Sequence, residues 1–458
     1  MRGRSRALTV VCAASIGYAA VLFTVASIRY RIFRAQVDLG LFTQVIASSL
    51  HGFSSTAEGG ENHLGVHFSP ILVACAPLLW LAQTPATLIA IQAIAAALVA
   101  PPTYLLAVRR VGPRLAFLTA LTSLVYPPLI AITVDDFHEL AFATPVILWL
   151  AWAIDARRWR SAAWLAALSL CIKEDVSLIL AFLAAVLALR AMLRREAVPA
   201  RFFGGFALAA TAVVVVFFFA VRPGFSGMPI GHPYLSEGYY DWHATGASPR
   251  GFADLDSPLR AEYLRGVFVP LLAVPLLSPA IFLALPGLLE ILGSHAAITL
   301  DLESHYAPCW MPYVLLAFVF GIANVAKRST PLAFVVLALV LGTSIYVDAY
   351  ASPAQWWYQI YRMPTARDAE LDRTLQTLPH DAVIGADLWL FAHLGLHPNA
   401  TFDVTKARIV VVDRRCDSDY CRTQVFPAVA ERVARGDLQL RSAHDGIEVY
   451  AVPGQLVR

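Results

Sequence analysis

The chain has 458 residues, of which 58% are hydrophobic and 15% charged, and its mean hydropathy is +0.62. Soluble globular domains carry about a quarter charged residues, so this balance excludes an ordinary soluble protein. The net charge of +3 gives no field for nucleic acid, because the basic residues cluster between apolar runs instead of spreading over a surface.

Residues 8–28, after the opening MRGRSR, are apolar for longer than the roughly 7–15 residues of a signal-peptide core. They read as an uncleaved first span with the N-terminus cytoplasmic. An external loop, 29–83, follows, and within it 67–81 reads as a re-entrant or interfacial helix. Further spans are expected at 85–108, 115–134, 140–154, 161–172, 176–193 and 202–221. After an external loop at 223–262 come spans at 263–277 and 280–292, the external loop 293–307, and spans at 308–325 and 332–350. That makes about eleven transmembrane helices over residues 1–350. Arg109, Arg110, Arg114, Arg157, Arg158, Arg160, Arg194, Arg195, Lys327 and Arg328 then share the inner side, as the excess of cytoplasmic positive charge requires.

Arg29, Arg31 and Arg34, in RYRIFR, break that rule just outside the first span. They read either as snorkelling side chains or as contacts for an anionic ligand at the outer leaflet. From about residue 365 the composition changes to amphipathic helices and short strands, so 365–458 reads as a small external α/β domain. Within it Cys416 and Cys421 stand in a C-x4-C pair, which on an oxidising side closes a disulfide loop or, less simply, contributes to a metal site.

The unusual polar groups all fall on external segments. The loop 29–83 carries Asp38, Glu58, His63 and His67; VDDFHEL carries Asp135, Asp136, His138 and Glu139. KED supplies Lys173, Glu174 and Asp175, and the loop at 293–307 supplies His295, Asp301, Glu303, His305 and Tyr306. A charge left in hydrocarbon costs about 2.5–3.5 kcal/mol even on the lenient insertion scale, so these groups belong to an interface or a wet cavity. Each has a plainer reading. Asp38 would serve as an N-cap of the helix after it, and KED is an internally neutralised ion pair at a helix end. His63 and His67 stand at i, i+4, a common spacing of zinc ligands, but no H-E-x-x-H accompanies them.

The segments VDLGLFTQ, EGGENHLGVHFSPIL, VDDFHEL, CIKEDVSLIL and ESHYAP, in that order, resemble the bacterial membrane family called domain of unknown function 2079. That family is similar in layout to the GT-C glycosyltransferases, among them protein O-mannosyltransferases, oligosaccharyltransferases and lipid A aminoarabinose transferases. The resemblance implies an all-α polytopic plasma-membrane protein of the GT-C type with a small external α/β domain. It also implies inverting transfer of a sugar from a polyprenyl-phosphate lipid to a glycan, lipid or protein acceptor.

By this resemblance Asp38 matches the first acidic position and Asp135/Asp136 the second, while Lys173 matches a lysine at the outer end of a short span. The expected catalytic residues are Asp38 as general base, with Asp136 and Glu139 as further acids or metal ligands. Lys173, Arg34, Glu174, Asp175 and His305 are expected to bind the substrate. His63, His67, Asp135 and His138 are the candidate ligands of a divalent cation, Mg²⁺, Mn²⁺ or Zn²⁺. The competing readings are a transporter or flippase of a lipid-linked or anionic solute, and a non-catalytic membrane scaffold. Against a transporter, the charged groups lie on one side and not near the bilayer midplane.

Overall fold

The computed structural model describes residues 2–227, 257–294, 296–302, 304–351 and 362–455; His295, Glu303 and most of the loop 223–262 lie outside that set. Six of its helices are long and apolar enough to cross a bilayer: Arg6–Arg31, Ala86–Val111, Glu174–Leu193, Ala197–Ser226, Met311–Arg328 and Thr330–Tyr350. A seventh forms if Pro113–Leu124 and Pro127–Asp135, bent by 41°, count as one span. The bend has a local cause. A residue before proline is pushed out of the α region, and Tyr126, which precedes Pro127 and Pro128, sits at φ −74°, ψ 117°.

The eleven expected spans are therefore not all present by length. Residues 140–154 and 161–172 yield helices of 13 and 11 residues, Ala143–Asp155 and Trp159–Ser169. At 1.5 Å per residue such helices reach only about 16–20 Å, against roughly 30 Å of hydrocarbon. Residues 263–292 are broken by Pro270, Pro275, Pro279 and Pro286 into the end of Pro258–Phe268, two 3₁₀ segments and Leu285–Gly293. Proline removes a donor and clashes with the preceding turn, which hydropathy alone does not register. In the first loop two short apolar helical segments form, Val37–Ala47 and Pro70–Ala82, the second close to the interfacial helix expected at 67–81.

The C-terminal domain is a five-stranded sheet with helices Ala366–Gln376, Leu388–His393 and Phe426–Ala434. Its strands are β1 (Ile384–Gly385), β2 (Ala400–Thr401), β3 (Ile409–Asp413), β4 (Gln439–His444) and β5 (Ile447–Ala451), in the order β2-β1-β3-β5-β4. β1 pairs parallel with β2 and β3, whereas β5 pairs antiparallel with β3 and β4. Asp445 and Gly446, at φ 45° and 80°, make the tight left-handed turn of the β4–β5 hairpin. Cys416 and Cys421 are joined in a disulfide.

This domain sits on the Val37–Ala47 helix and on the end of the first span. Tyr30 and Phe33 sandwich the His393 ring, each with centroids 3.9 Å away, and His393 Nε2 lies 2.9 Å from the Tyr30 carbonyl. Gln44 Nε2 donates to the carbonyls of His397 and Ala400 at 2.9 and 3.0 Å. Close approach depends on two glycines. A Cβ at Gly40 would lie 2.6 Å from the Phe391 carbonyl oxygen, and one at Gly395 2.6 Å from Thr43 Cβ. Gly40→Ala is therefore expected to lift the domain from the helix. Limited proteolysis of the detergent-purified protein should then release a C-terminal fragment several-fold faster than wild type; equal rates would show that this contact does not hold the domain down.

Candidate functional site

The first segment of the site is the turn after Pro127–Asp135. Two side chains fix its backbone from outside. Arg29 is only 5% exposed; its Nη1 donates to the carbonyls of Val134 and Asp135 at 2.8 and 2.6 Å, and its Nη2 meets Asp135 Oδ1 at 2.9 Å. Gln92, buried inside an apolar helix, donates to the Ile132 carbonyl at 2.8 Å and to the Asp136 carbonyl, and accepts from the His138 N–H at 3.0 Å. The fixed turn aims Asp136, His138 and Glu139 inward. Burial, together with the charges of Asp38 and Asp135, raises the Asp136 carboxyl well above the usual range.

Asp38 belongs to the first turn of Val37–Ala47, but the N-cap is Gln36, whose side chain makes no capping bond. The carboxylate is therefore not used for capping, and among the described residues it makes no hydrogen bond. It keeps 30% side-chain exposure, with Oδ2 3.9 Å from His305 Nδ1. Burial, with Glu139 and Asp135 nearby, pushes it up to about 7 against the opposing pull of Lys173 and His67.

The third segment is KED. Lys173 is the N-cap of Glu174–Leu193 and is 2% exposed, with Nζ 3.4 Å from Glu139 Oε1 and 3.6 Å from Asp175 Oδ2. Burial works against its charge, yet Glu139 and Asp175 hold the ammonium well above its ordinary range. Glu174 takes His67 Nδ1 at 2.7 Å on one oxygen and the Phe68 N–H at 2.7 Å on the other. That pair clips the loop 29–83 to the end of a span.

Glu139 joins the segments. Its side chain is fully buried; Oε2 is 2.9 Å from His138 Nδ1 and Oε1 faces Lys173, but neither oxygen receives an aligned hydrogen bond. Despite burial, His138 and Lys173 hold it well below the usual carboxylate range. Burial pushes His138 down to about 4, and burial with the charges of His138 and Lys173 takes His305 well below its ordinary value. The two imidazoles stack at 3.6 Å, 7° from parallel. One ligand atom each from Asp38, His138 and His305 lies within 4.8 Å of the others. The arrangement offers a partly exposed carboxylate, a fixed positive charge behind it, and two imidazoles beside it.

Of the expected site residues, Asp38, His138, Glu139, Lys173 and His305 come together, with Asp136, Glu174, Asp175 and His67 around them. Three do not share this centre. Arg34 reaches the C-terminal domain, where it pairs with Asp417 at 3.0 Å and stacks on Trp389 at 4.1 Å. Asp135 is bound to Arg29. His63, fully buried, turns its Nδ1 to Glu58 at 2.8 Å. Gln92 is absent from the residues expected from sequence, although a lone amide in an apolar run is itself a signal.

A family profile described as predicted membrane protein (DUF2079) matches residues 29–418. Among solved structures, the crystal structure of ArnT from Cupriavidus metallidurans bound to undecaprenyl phosphate is similar. It matches with a TM-score of 0.58 and 12% identity over 96% of this chain and 98% of that one. At that identity the likeness is one of fold, and it bears out the GT-C layout. No curated protein matches the sequence.

Proposed function

The chain belongs to the DUF2079 family of predicted membrane proteins, and from the site its fold builds we propose that it is an inverting glycosyltransferase. Its donor would be a polyprenyl-phosphate-linked sugar, and it would work at the extracytoplasmic face. The observation that carries this reading is Asp38: a partly exposed carboxylate that caps no helix, beside His305 and within the field of a buried lysine. ArnT, whose fold covers nearly the whole chain, holds undecaprenyl phosphate, which supports the donor class.

In this reading the acceptor hydroxyl attacks the anomeric carbon, a new C–O bond forms, and the bond from that carbon to the phosphate oxygen breaks. The lipid phosphate leaves with the electron pair, and Asp38 takes the hydroxyl proton as general base. A single displacement inverts the anomeric centre. Lys173 acts through its charge and not by contact, because it is 2% exposed; a fixed cation held in the protein interior behind the site stabilises a developing phosphate anion. Glu139 and Asp175 hold that cation, and Asp136 keeps a second carboxyl near Asp38. The test is incubation of the purified protein with radiolabelled polyprenyl-phosphate sugars, scoring released lipid phosphate and labelled acceptor. Movement of intact lipid-linked sugar across vesicles without cleavage would instead make it a flippase.

The orientation has a separate check. The end of the first span meets the C-terminal domain, so the N-terminus lies at the far end of a 26-residue helix. With Arg109 and Arg110 paired to Asp155 on that far side, the positive charge there reads as cytoplasmic. An alkaline phosphatase fused after Tyr350 should be active in the periplasm of a bacterial host. A silent phosphatase with an active cytoplasmic reporter at the same point would reverse the orientation.

A further inference from the structure

We propose that Asp38, His138 and His305 form a binding site for one divalent transition-metal ion. The site stands on its own geometry; its role, charge neutralisation at a departing phosphate, rests on the transferase reading above.

Three separate segments supply the ligands, which is how metal sites are assembled when no sequence motif announces them. Their ligand atoms lie within 4.8 Å of one another, so turning the two imidazoles out of their parallel stack, with the carboxylate swung toward them, would bring all three to the roughly 2.0–2.2 Å bonds of an N/O site. The gap between His305 Nδ1 and Asp38 Oδ2, 3.9 Å, is too long for a hydrogen bond, so the two groups face one space without joining. His138 carries the second mark of a metal ligand. Glu139 lies 2.9 Å from its Nδ1, which otherwise accepts only a long 3.5 Å bond from the Leu140 N–H; an Nδ1–H turned to that carboxylate would leave Nε2 as the lone pair, the carboxylate–histidine arrangement that orients metal-bound imidazoles. Glu139 itself is fully buried with both oxygens lacking an aligned hydrogen bond, an acceptor whose demand a cation on His138 would help to satisfy.

Two imidazoles and one carboxylate select the class of ion. Ca²⁺ and Mg²⁺ favour oxygen-only shells, whereas Mn²⁺, Fe²⁺, Co²⁺ and Zn²⁺ accept mixed nitrogen and oxygen ligands. Three protein ligands leave at least one position open, which a phosphate oxygen fits. One oxygen of Asp38 is enough for the ion, and the other stays available to the acceptor. This set differs from the one the sequence suggests: His63 is turned to Glu58, His67 to Glu174 and Asp135 to Arg29, so only His138 is common to both.

The experiment uses the full-length, tag-free protein in detergent, stripped with chelator and titrated with Co²⁺. The wild type should bind one Co²⁺ per chain with visible d–d absorption, and Mn²⁺ should compete. His305→Ala and His138→Ala should each weaken binding by at least tenfold, and Glu139→Gln by about 10–100-fold, the usual effect of losing an orienting carboxylate. Exposed His444→Ala should change nothing. Size-exclusion elution and thermal unfolding show whether each variant is folded; if His138→Ala is not, His305→Ala decides, because that ring is 25% exposed. Absence of stoichiometric Co²⁺ binding, or binding indifferent to His305→Ala in a folded protein, overturns the proposal. If the stripped protein binds no cation and still transfers sugar at the full rate, this inference falls and the transferase reading stands. If Co²⁺ binds as expected and no sugar is transferred, the site stands and the transferase reading falls.

Discussion

Asp38→Asn should lower sugar transfer by about 10²–10⁴-fold, the usual contribution of a positioned general base, while the protein still folds and inserts. Folding should survive because the amide is nearly isosteric and the carboxylate caps nothing: Gln36 holds the cap position and makes no side-chain bond there. Removing a half-buried charge beside Glu139, Asp135 and Asp136 relieves repulsion, so thermal stability should hold or rise slightly. Donor binding, measured with a non-transferable polyprenyl-phosphate analogue, should change far less than turnover, since the fixed charge of Lys173 remains. Wild-type turnover in Asp38→Asn would remove Asp38 from the chemistry. Loss of lipid flux without any cleavage, in wild type and variant alike, would move the site to a transporter.

Much of this site is legible in the sequence because the membrane makes charge conspicuous. VDDFHEL and KED interrupt apolar runs, and the cost of leaving them in lipid is enough to place both at a surface or a wet cavity. The small α/β domain is equally visible in the change of composition after residue 365. The span count is not, because hydropathy sees apolar residues but not the four prolines that break 263–292. Pairings between distant segments are also hidden. Arg34 meets Asp417 across 383 residues, and no local pattern says that its guanidinium reaches the C-terminal domain. The histidines show the same limit. His63 and His67 have a ligand-like spacing, yet each is bound through Nδ1 to a glutamate, while His138 and His305, 167 positions apart in the chain, stack on one another.

Lys173→Ala should be the most destabilising single change at this site. The side chain is 2% exposed and stands between the buried Glu139 and Asp175, at 3.4 and 3.6 Å. Removing one member of a buried ion pair leaves the other uncompensated, which costs about 3–5 kcal/mol. Here the orphan would be Glu139, which has no exposed surface and no aligned hydrogen bond to fall back on. Lys173→Arg should not rescue it fully, since a planar fork does not occupy the place of a compact ammonium. The ion-pair origin can be separated from lost packing by a second change. Glu139→Gln removes the orphaned charge, so the double variant should lose less stability than the two single losses added together, by at least about 1 kcal/mol. Thermal unfolding in detergent, at fixed lipid and salt, measures all four proteins. Strict additivity would mean that Lys173 and Glu139 are not coupled, and the fixed positive charge assigned to the reaction would then have to come from elsewhere.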